Sequence, residues 1–415
     1  MARARDGKEK RAPLGGSGSG QTSFVVVRLP RADTAQIPVD GSNRRFVRQA
    51  CSVNAEETMR YLGMDVHGKA TVFCLLDADG KTVETGSVRT TAPALSDLAQ
   101  RLSKNDTLVA AQEVGTMCQF VHDVFTAAGV KILSFNAQQL RVIASSRKKT
   151  DKRDSFWIAK CLQTDMMPHP VYIPDGDIRK LRSQLAIRAN LTGERKRWLL
   201  RARSQLRAVG IVVPKGVSKI ERMLAECLNK PDGLDPYVVQ TLELCSRMMK
   251  NIKNEITTLE AQIIADTKHV DDLKRLKTIP AIGDWVALYI YAWVGDVRRF
   301  RNARLLSSYA GLVPSVHQSG DTLHTGRITK AGSNGLRSIL VQAGHVLLFK
   351  CKADESLPLK DLATRVHTAR ARRKIAVVAA GRFILRTAFY VLRDGTTYER
   401  TRLRRAKPQE VQRTD

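Results

Sequence analysis

An α/β domain followed by mainly helical segments is the fold class this sequence predicts, and three observations predict it. Short apolar runs, two of them ending in an acid, alternate with turn signals over residues 58–176. Long apolar stripes at three- and four-residue spacing run through residues 177–270. Residues 271–400 return to shorter helices broken by loops rich in Gly and Ser. The flanks at 1–57 and 401–415 are basic and lack sustained periodicity. With Gly15–Gly20 reading GGSGSG, the first flank suggests a flexible arm and the second a basic tail.

Order begins near Met59. Arg60–Val66 reads as a strand that ends beside Asp65, and His67-Gly68-Lys69 reads as a turn. Ala70–Leu76 and Thr82–Arg89 are further strands, joined by the turn Asp77-Ala78-Asp79-Gly80. Asp77 and Asp79 read as turn formers rather than ligands. Leu108–Ala111 is an apolar run that leads into Gln112-Glu113, so a second carboxylate falls at a strand end. A helix carrying Val121, Val124, Phe125 and Ala128 on one face follows, then a strand at Lys131–Phe135 and another helix. Three strands, then strand, helix, strand and helix give the element order of an RNase H-like domain. In open α/β sheets, sites gather at the carboxyl ends of strands, where Asp65 and Glu113 fall.

Net charge is +29, from 69 Lys and Arg against 40 Asp and Glu. Such a surface attracts a polyanion, and nucleic acid fits it better than an anionic membrane. No window approaches the ~18–20 uninterrupted apolar residues of a membrane span. The opening Met1-Ala2-Arg3-Ala4-Arg5-Asp6 does not read as a signal peptide. The seven cysteines (51, 74, 118, 161, 227, 245 and 351) form no CxxC pair, which suggests neither a zinc site nor a disulfide framework. The expected compartment is reducing and cytoplasmic.

The stretch Lys148-Lys149-Thr150-Asp151-Lys152-Arg153-Asp154-Ser155 sets two carboxylates three apart within a run of cations. On a helix capped by Thr150, Asp151 and Asp154 share one face. A solvated helix start with acids at its positive end explains an isolated pair of this kind. Together with Asp65 and Glu113, however, the pair completes a set of four carboxylates. Like charges that close need compensation, which a divalent metal supplies, and the flanking cations suit a phosphate.

From Asp177 to Val209 the chain reads as a basic helix with Leu199, Ala202, Leu206 and Val209 on its apolar face and Arg195 and Arg201 among its cations. After Pro236 a second helix carries Val238, Leu242, Cys245, Met249, Ile252, Ile256, Leu259 and Ile263, a heptad seam. The seam fits a hairpin with the first helix or pairing with a second protomer. Leu276–Trp285 resembles a helix-hairpin-helix, in which turn N–H groups grip phosphate. Residues 309–337 read as a long irregular segment with a helix restarting at Leu336, and Arg327, Lys330 and Arg337 are its cations. Glycine beside serine there admits a phosphodiester, and the cations can stabilise oxyanion charge around an activated serine. Residues 375–398 read as a final helix.

Six segments, in order, resemble one family over roughly residues 60–398. They are Gly63-Met64-Asp65-Val66, Gln112-Glu113-Val114-Gly115, Lys149-Thr150-Asp151-Lys152-Arg153-Asp154, Ala310-Gly311-Leu312-Val313-Pro314, Gln318-Ser319-Gly320 and Gly326-Arg327-Ile328-Thr329-Lys330-Ala331-Gly332. The chain resembles transposases of the IS110 family of insertion sequences, which are related to Piv-type DNA invertases. The resemblance implies a RuvC-like domain with a DEDD carboxylate set at 58–176, a coiled-coil insertion at 177–270 and a C-terminal transposase domain at 271–400. It puts the tetrad on Asp65, Glu113, Asp151 and Asp154, with Mg²⁺ as cofactor, and the nucleophile on Ser319, with Ser315 as second choice. It further implies a covalent 5′-phosphoserine intermediate and a structured bridge RNA that pairs with donor and target DNA. Dimers would assemble into a tetramer, associated with the nucleoid when on DNA. Lys148, Lys149, Lys152, Arg153, Arg195, Arg201, Arg327, Lys330 and Arg337 are the cations expected to hold nucleic acid. Two departures from the family pattern are Ala281, where a glycine is usual, and the longer N-terminal extension. A RuvC-like nuclease or junction resolvase that hydrolyses DNA without the serine, and a non-catalytic binding protein, are the alternatives.

Overall fold

The computed structural model describes residues 59–136, 151–213, 215–231, 233–319, 322–351, 359–370 and 373–398. Strands β1 (Met59–Val66), β2 (Ala70–Leu76) and β3 (Thr82–Arg89) form an antiparallel meander. β4 (Thr107–Glu113) and β5 (Lys131–Phe135) join it parallel to β1, giving the order β3-β2-β1-β4-β5. This mixed sheet agrees with the expected RNase H-like order.

Helix α1 (Ala92–Leu102), between β3 and β4, is an element the sequence reading lacks. Its signal is present: Leu95, Leu98, Ala99 and Leu102 recur at helical spacing behind a proline in the first turn, and all four are buried. With α2 (Cys118–Ala127) it covers one face of the sheet, over Leu62, Met64, Ala110 and Ile132. Helix α3 (Asp151–Gln163) covers the other face, over Tyr61, Val109, Ala111 and Phe135. Because side chains alternate along a strand, Asp65 and Glu113 belong to the face that α3 covers.

Helix α4 (Gly176–Ala208) and α6 (Pro236–Thr267) run antiparallel, with Arg188 bonded to Glu260 and Gln184 to Asp266. The unexpected α5 (Val217–Asn229) packs against both at the far end. Val238, Leu242, Cys245 and Met249 of the heptad seam bury against Leu199, Ala202 and Leu206 of α4. The seam is thus the core of an intrachain hairpin over this stretch. Farther along α6, Ile263 joins the C-terminal core.

That core gathers α7 (Asp271–Lys277), α8 (Asp284–Val294), α9 (Ala303–Tyr309), α10 (Asn334–Phe349), α11 (Leu359–Arg370) and α12 (Arg373–Asp394). The segment read as irregular instead contains a two-stranded ribbon, β6 (Pro314–Ser319) and β7 (Thr322–Ile328). Its strands carry Ser, His, Thr and Gly in place of a sustained apolar alternation, so no period of two is visible in the sequence. Helix α10 begins at Asn334, capped by the Ser333 side chain, two residues before the expected restart.

By length and composition α12 holds a window of mean hydropathy 1.7, apolar enough to cross a membrane although Arg382 and Arg386 interrupt its apolar run, as the sequence expectation of no uninterrupted span requires; 61% of the window is buried. Its buried face packs on α10, where backbone replaces side chain: a Cβ on Gly381 would stand 2.6 Å from the Leu340 carbonyl oxygen. Its apolar length therefore serves the core of this bundle.

Candidate active site

The site forms where β1 and β4 end beneath the first turn of α3. Asp65 lies one residue before the end of β1, and its side chain is 16% exposed. The register pairs Met64 with Gln112, so half-buried Glu113 follows at the same level on the neighbouring parallel strand. α3 supplies Asp151 and Asp154 from its first turn. Thr150, expected as the cap, lies outside the described residues, as do Lys148 and Lys149.

Gly63 explains how close the helix sits. A Cβ there would overlap the Ser155 carbonyl oxygen and the Ala159 amide nitrogen, and would stand 2.9 Å from Ala159 Cα. Main chain meets main chain, and Asp151 is brought to the end of β1. At the far end of α3, the Gln163 amide donates to the Ala78 carbonyl in the β2–β3 turn at 3.0 Å.

His67 enters this group, although its place beside Gly68 marks it in the sequence only as a turn residue. Its Nε2 lies 3.2 Å from Asp65 Oδ2 and 3.8 Å from Asp151 Oδ2. One ligand atom from each of Asp65, His67 and Asp151 falls within 4.8 Å of the others. Nothing in the sequence joins His67 to Asp151, because only the docking of α3 brings them together.

Burial lifts the Asp65 carboxyl above the ordinary carboxylate range; His67 opposes the shift, while the charges of Asp151 and Asp154 add to it. Asp154 thus acts on Asp65 through its charge, and Asp151 also lies within reach of a shared ligand. A half-buried acid beside two further acids is an environment that a cation relieves. Carboxylate oxygens with one imidazole form a donor set that fits a divalent metal.

The cations expected to hold nucleic acid divide into engaged and exposed ones. Arg195 pairs with Glu221, and Arg201 lies 4.4 Å over the Trp198 ring with its side chain exposed. Arg337 donates to the Ala331 carbonyl at 3.0 Å and to Asn334 Oδ1 at 3.1 Å, so it holds the loop behind the ribbon. Arg153, Arg327 and Lys330 are exposed, and the side chain of Lys152 lies outside the described residues. Ser319 closes β6 opposite Thr322, on a sheet separate from the five-stranded one. Ser315 lies earlier on β6 beneath Gly326, where a Cβ would overlap its hydroxyl.

The turn expected to resemble a helix-hairpin-helix lies between α7 and α8. There Ala281 takes φ 67°, a left-handed conformation that favours glycine.

Comparison with known families adds two matches. A transposase model of the DEDD IS110 type covers residues 62–211, which include all four carboxylates and His67. A model described as Transposase IS116/IS110/IS902 family covers residues 273–357, which include Ser315 and Ser319. The transposase for insertion sequence element IS1111A of Coxiella burnetii is 28% identical over 316 residues, 74% of this chain and 84% of that one. The transposase for insertion sequence element IS1328 of Yersinia enterocolitica is 24% identical, over 60% of this chain and 74% of its own. The pilin gene-inverting protein of Moraxella lacunata is likewise 24% identical, over 61% of this chain and 69% of its own.

Proposed function

The chain belongs to the IS110/IS116 family of transposases, and on that premise we propose that it cuts and rejoins DNA through a serine-linked intermediate guided by a structured RNA. The observation that carries this reading is the meeting of Asp65 and Asp151 where β1 ends, beside Glu113 and Asp154. These four acids would hold the metal, Mg²⁺ in our reading. When bound, the ion would neutralise charge at a phosphodiester and ease ionisation of a hydroxyl.

Ser319 is the nucleophile in this proposal. Its Oγ attacks phosphorus, so a Ser–O–P bond forms as the bond to the 3′ oxygen breaks. The departing 3′ oxygen takes a proton and leaves as a free hydroxyl. Attack by a 3′ hydroxyl on the phosphoserine reverses the step and reseals a strand. The number of phosphoester bonds is conserved, so no high-energy cofactor is consumed. The ribbon with Ser319 and the sheet with the acids are separate elements, and a dimer that assembles into a tetramer would let acids of one protomer serve the serine of another. Arg153, Arg201, Arg327 and Lys330 would hold phosphate backbone without reading sequence. Donor and target DNA together with guide RNA account for the +29 charge.

The separation of the two elements also favours a second reading: a metal-dependent nuclease in which water replaces the serine. A suicide substrate with labelled DNA, Mg²⁺ and RNA transcribed from the flanking non-coding region decides between them. A labelled protein band on a denaturing gel, lost in Ser319→Ala, supports the serine recombinase. Free nicked DNA from both proteins, with no protein-linked label, sinks it and leaves the nuclease.

A further inference from the structure

We infer that His67 is itself a metal ligand, so that the ion is held by Asp65 and Asp151 oxygens together with an imidazole nitrogen. The inference rests on the reading of this carboxylate group as a metal centre and adds to it a donor that an all-carboxylate tetrad lacks.

Three observations carry it. The first is convergence: two carboxylates from different elements, one ending a strand and one opening a helix, approach the same Nε2, at 3.2 and 3.8 Å. Neighbouring ligands at right angles around an ion bound at ~2.1 Å lie about 3.0 Å apart, and wider angles reach about 4 Å. Both separations fall in that range. A surface ion pair needs one acid, and here there are two.

The second is that the backbone of His67 is fixed. Its N–H donates to the Ala70 carbonyl at 3.1 Å, closing the turn. The Thr90 hydroxyl donates to the His67 carbonyl at 2.8 Å, and the Thr90 N–H donates to the Lys69 carbonyl at 3.1 Å. Because the Thr90 proton is committed to His67, Thr71 is the donor in the Thr71–Thr90 hydroxyl pair, at 2.9 Å. Thr71 is fully buried and Thr90 nearly so. Polar groups are buried where they are bonded, and this pair anchors one exposed turn. The imidazole ring is 53% exposed, but the main chain that carries it is held from within the sheet.

The third is chemical. Neutral imidazole offers one lone pair, and an ion seated between Nε2 and the acids would take it and leave the ring proton on Nδ1. That arrangement leaves the nitrogen nearest Asp65 and Asp151 free to donate to an ion. An imidazole also shifts a site's preference toward first-row transition ions relative to oxygen donors alone.

The test uses the full chain and Mn²⁺ alone. Pulsed paramagnetic resonance of bound Mn²⁺ reads coupling to a directly bound ¹⁴N, and titration reads affinity. Wild type, His67→Ala and Asp65→Asn are compared, with circular dichroism checking that the exposed His67 position tolerates alanine. A ¹⁴N coupling in wild type that vanishes in His67→Ala, with Mn²⁺ bound at least ~10-fold more weakly, is the expected result. Tight binding lost in Asp65→Asn, but without ¹⁴N coupling in wild type, overturns the ligand assignment and leaves the carboxylate metal centre standing. A coupling that survives in His67→Ala also overturns it, because another histidine then supplies the nitrogen. No Mn²⁺ bound to wild type overturns both this inference and the metal-dependent reading beneath it.

Discussion

Gly63 of β1 lies directly beneath Ser155 of α3, with the space of a side chain taken up by the Ser155 carbonyl. Two main chains in contact fix the height of α3 above the sheet, and with it the separation of Asp65 from Asp151. Gly63→Ala therefore has to lift the helix. Overpacking of this kind costs about 1–3 kcal/mol. Chemical denaturation should show that loss, and Mn²⁺ titration should show weaker binding in the protein that remains folded. A Gly63→Ala variant with unchanged stability and unchanged metal affinity would show that Gly63 does not set the geometry of the site.

The metal-free protein should lose stability as pH rises through the Asp65 titration. Burial raises the pKa of this carboxyl in the folded state, so between the unfolded and folded values the native chain binds more protons than the unfolded chain. Stability then falls with rising pH across that window, and the penalty is fully present above it. Thermal unfolding at several pH values should show this slope, Asp65→Asn should flatten it and raise Tm at neutral pH, and saturating Mg²⁺ should offset it in wild type.

Ala281→Gly should stabilise the protein. Ala281 holds φ 67° between α7 and α8, where an L side chain crowds its own backbone. Glycine removes that crowding but is freer when unfolded, so the net gain is about 0.5–1 kcal/mol. Denaturant midpoints of the two proteins give the answer directly.

Two arginines satisfy the last carbonyls of α8. Arg182 of α4 donates to Ala292 at 2.7 Å and Trp293 at 3.3 Å, and Arg299 donates to Val294 at 2.9 Å and Trp293 at 3.1 Å. Charged donors at a helix C-terminus also complement its dipole. Arg182→Ala should destabilise by about 2 kcal/mol. Because both side chains share the Trp293 carbonyl, a double-mutant cycle with Arg299→Ala should show non-additivity of at least ~0.5 kcal/mol.

Much of the sheet is legible in the sequence because apolar runs such as Tyr61–Met64 and Leu108–Ala111 are bounded by turn residues. Each ends beside an acid, so the pattern of residues alone puts Asp65 and Glu113 at strand ends. The long helices α4 and α6 are legible for the opposite reason, since many turns of one stripe outweigh local noise. Short elements carry weaker signals. α5 spans only Val217–Asn229 between Gly216 and Lys230, and the sequences of β6 and β7 carry too many polar residues to alternate visibly. His67 is illegible as a site residue because its partner Asp151 reaches it through tertiary packing, and a His-Gly pair by itself signals a turn.

The apolar helix α12 follows α7, α9, α10 and α11, the helices that pack on it, in the chain. During synthesis its docking surface therefore emerges before it does. A segment greasy enough to interest a membrane-insertion machinery meets a waiting groove first, and the glycines at the crossing with α10 let it seat without repacking large side chains. Swapping the order of these helices by circular permutation would expose the same residues with nothing yet made to receive them, turning a routine last step of folding into an aggregation hazard.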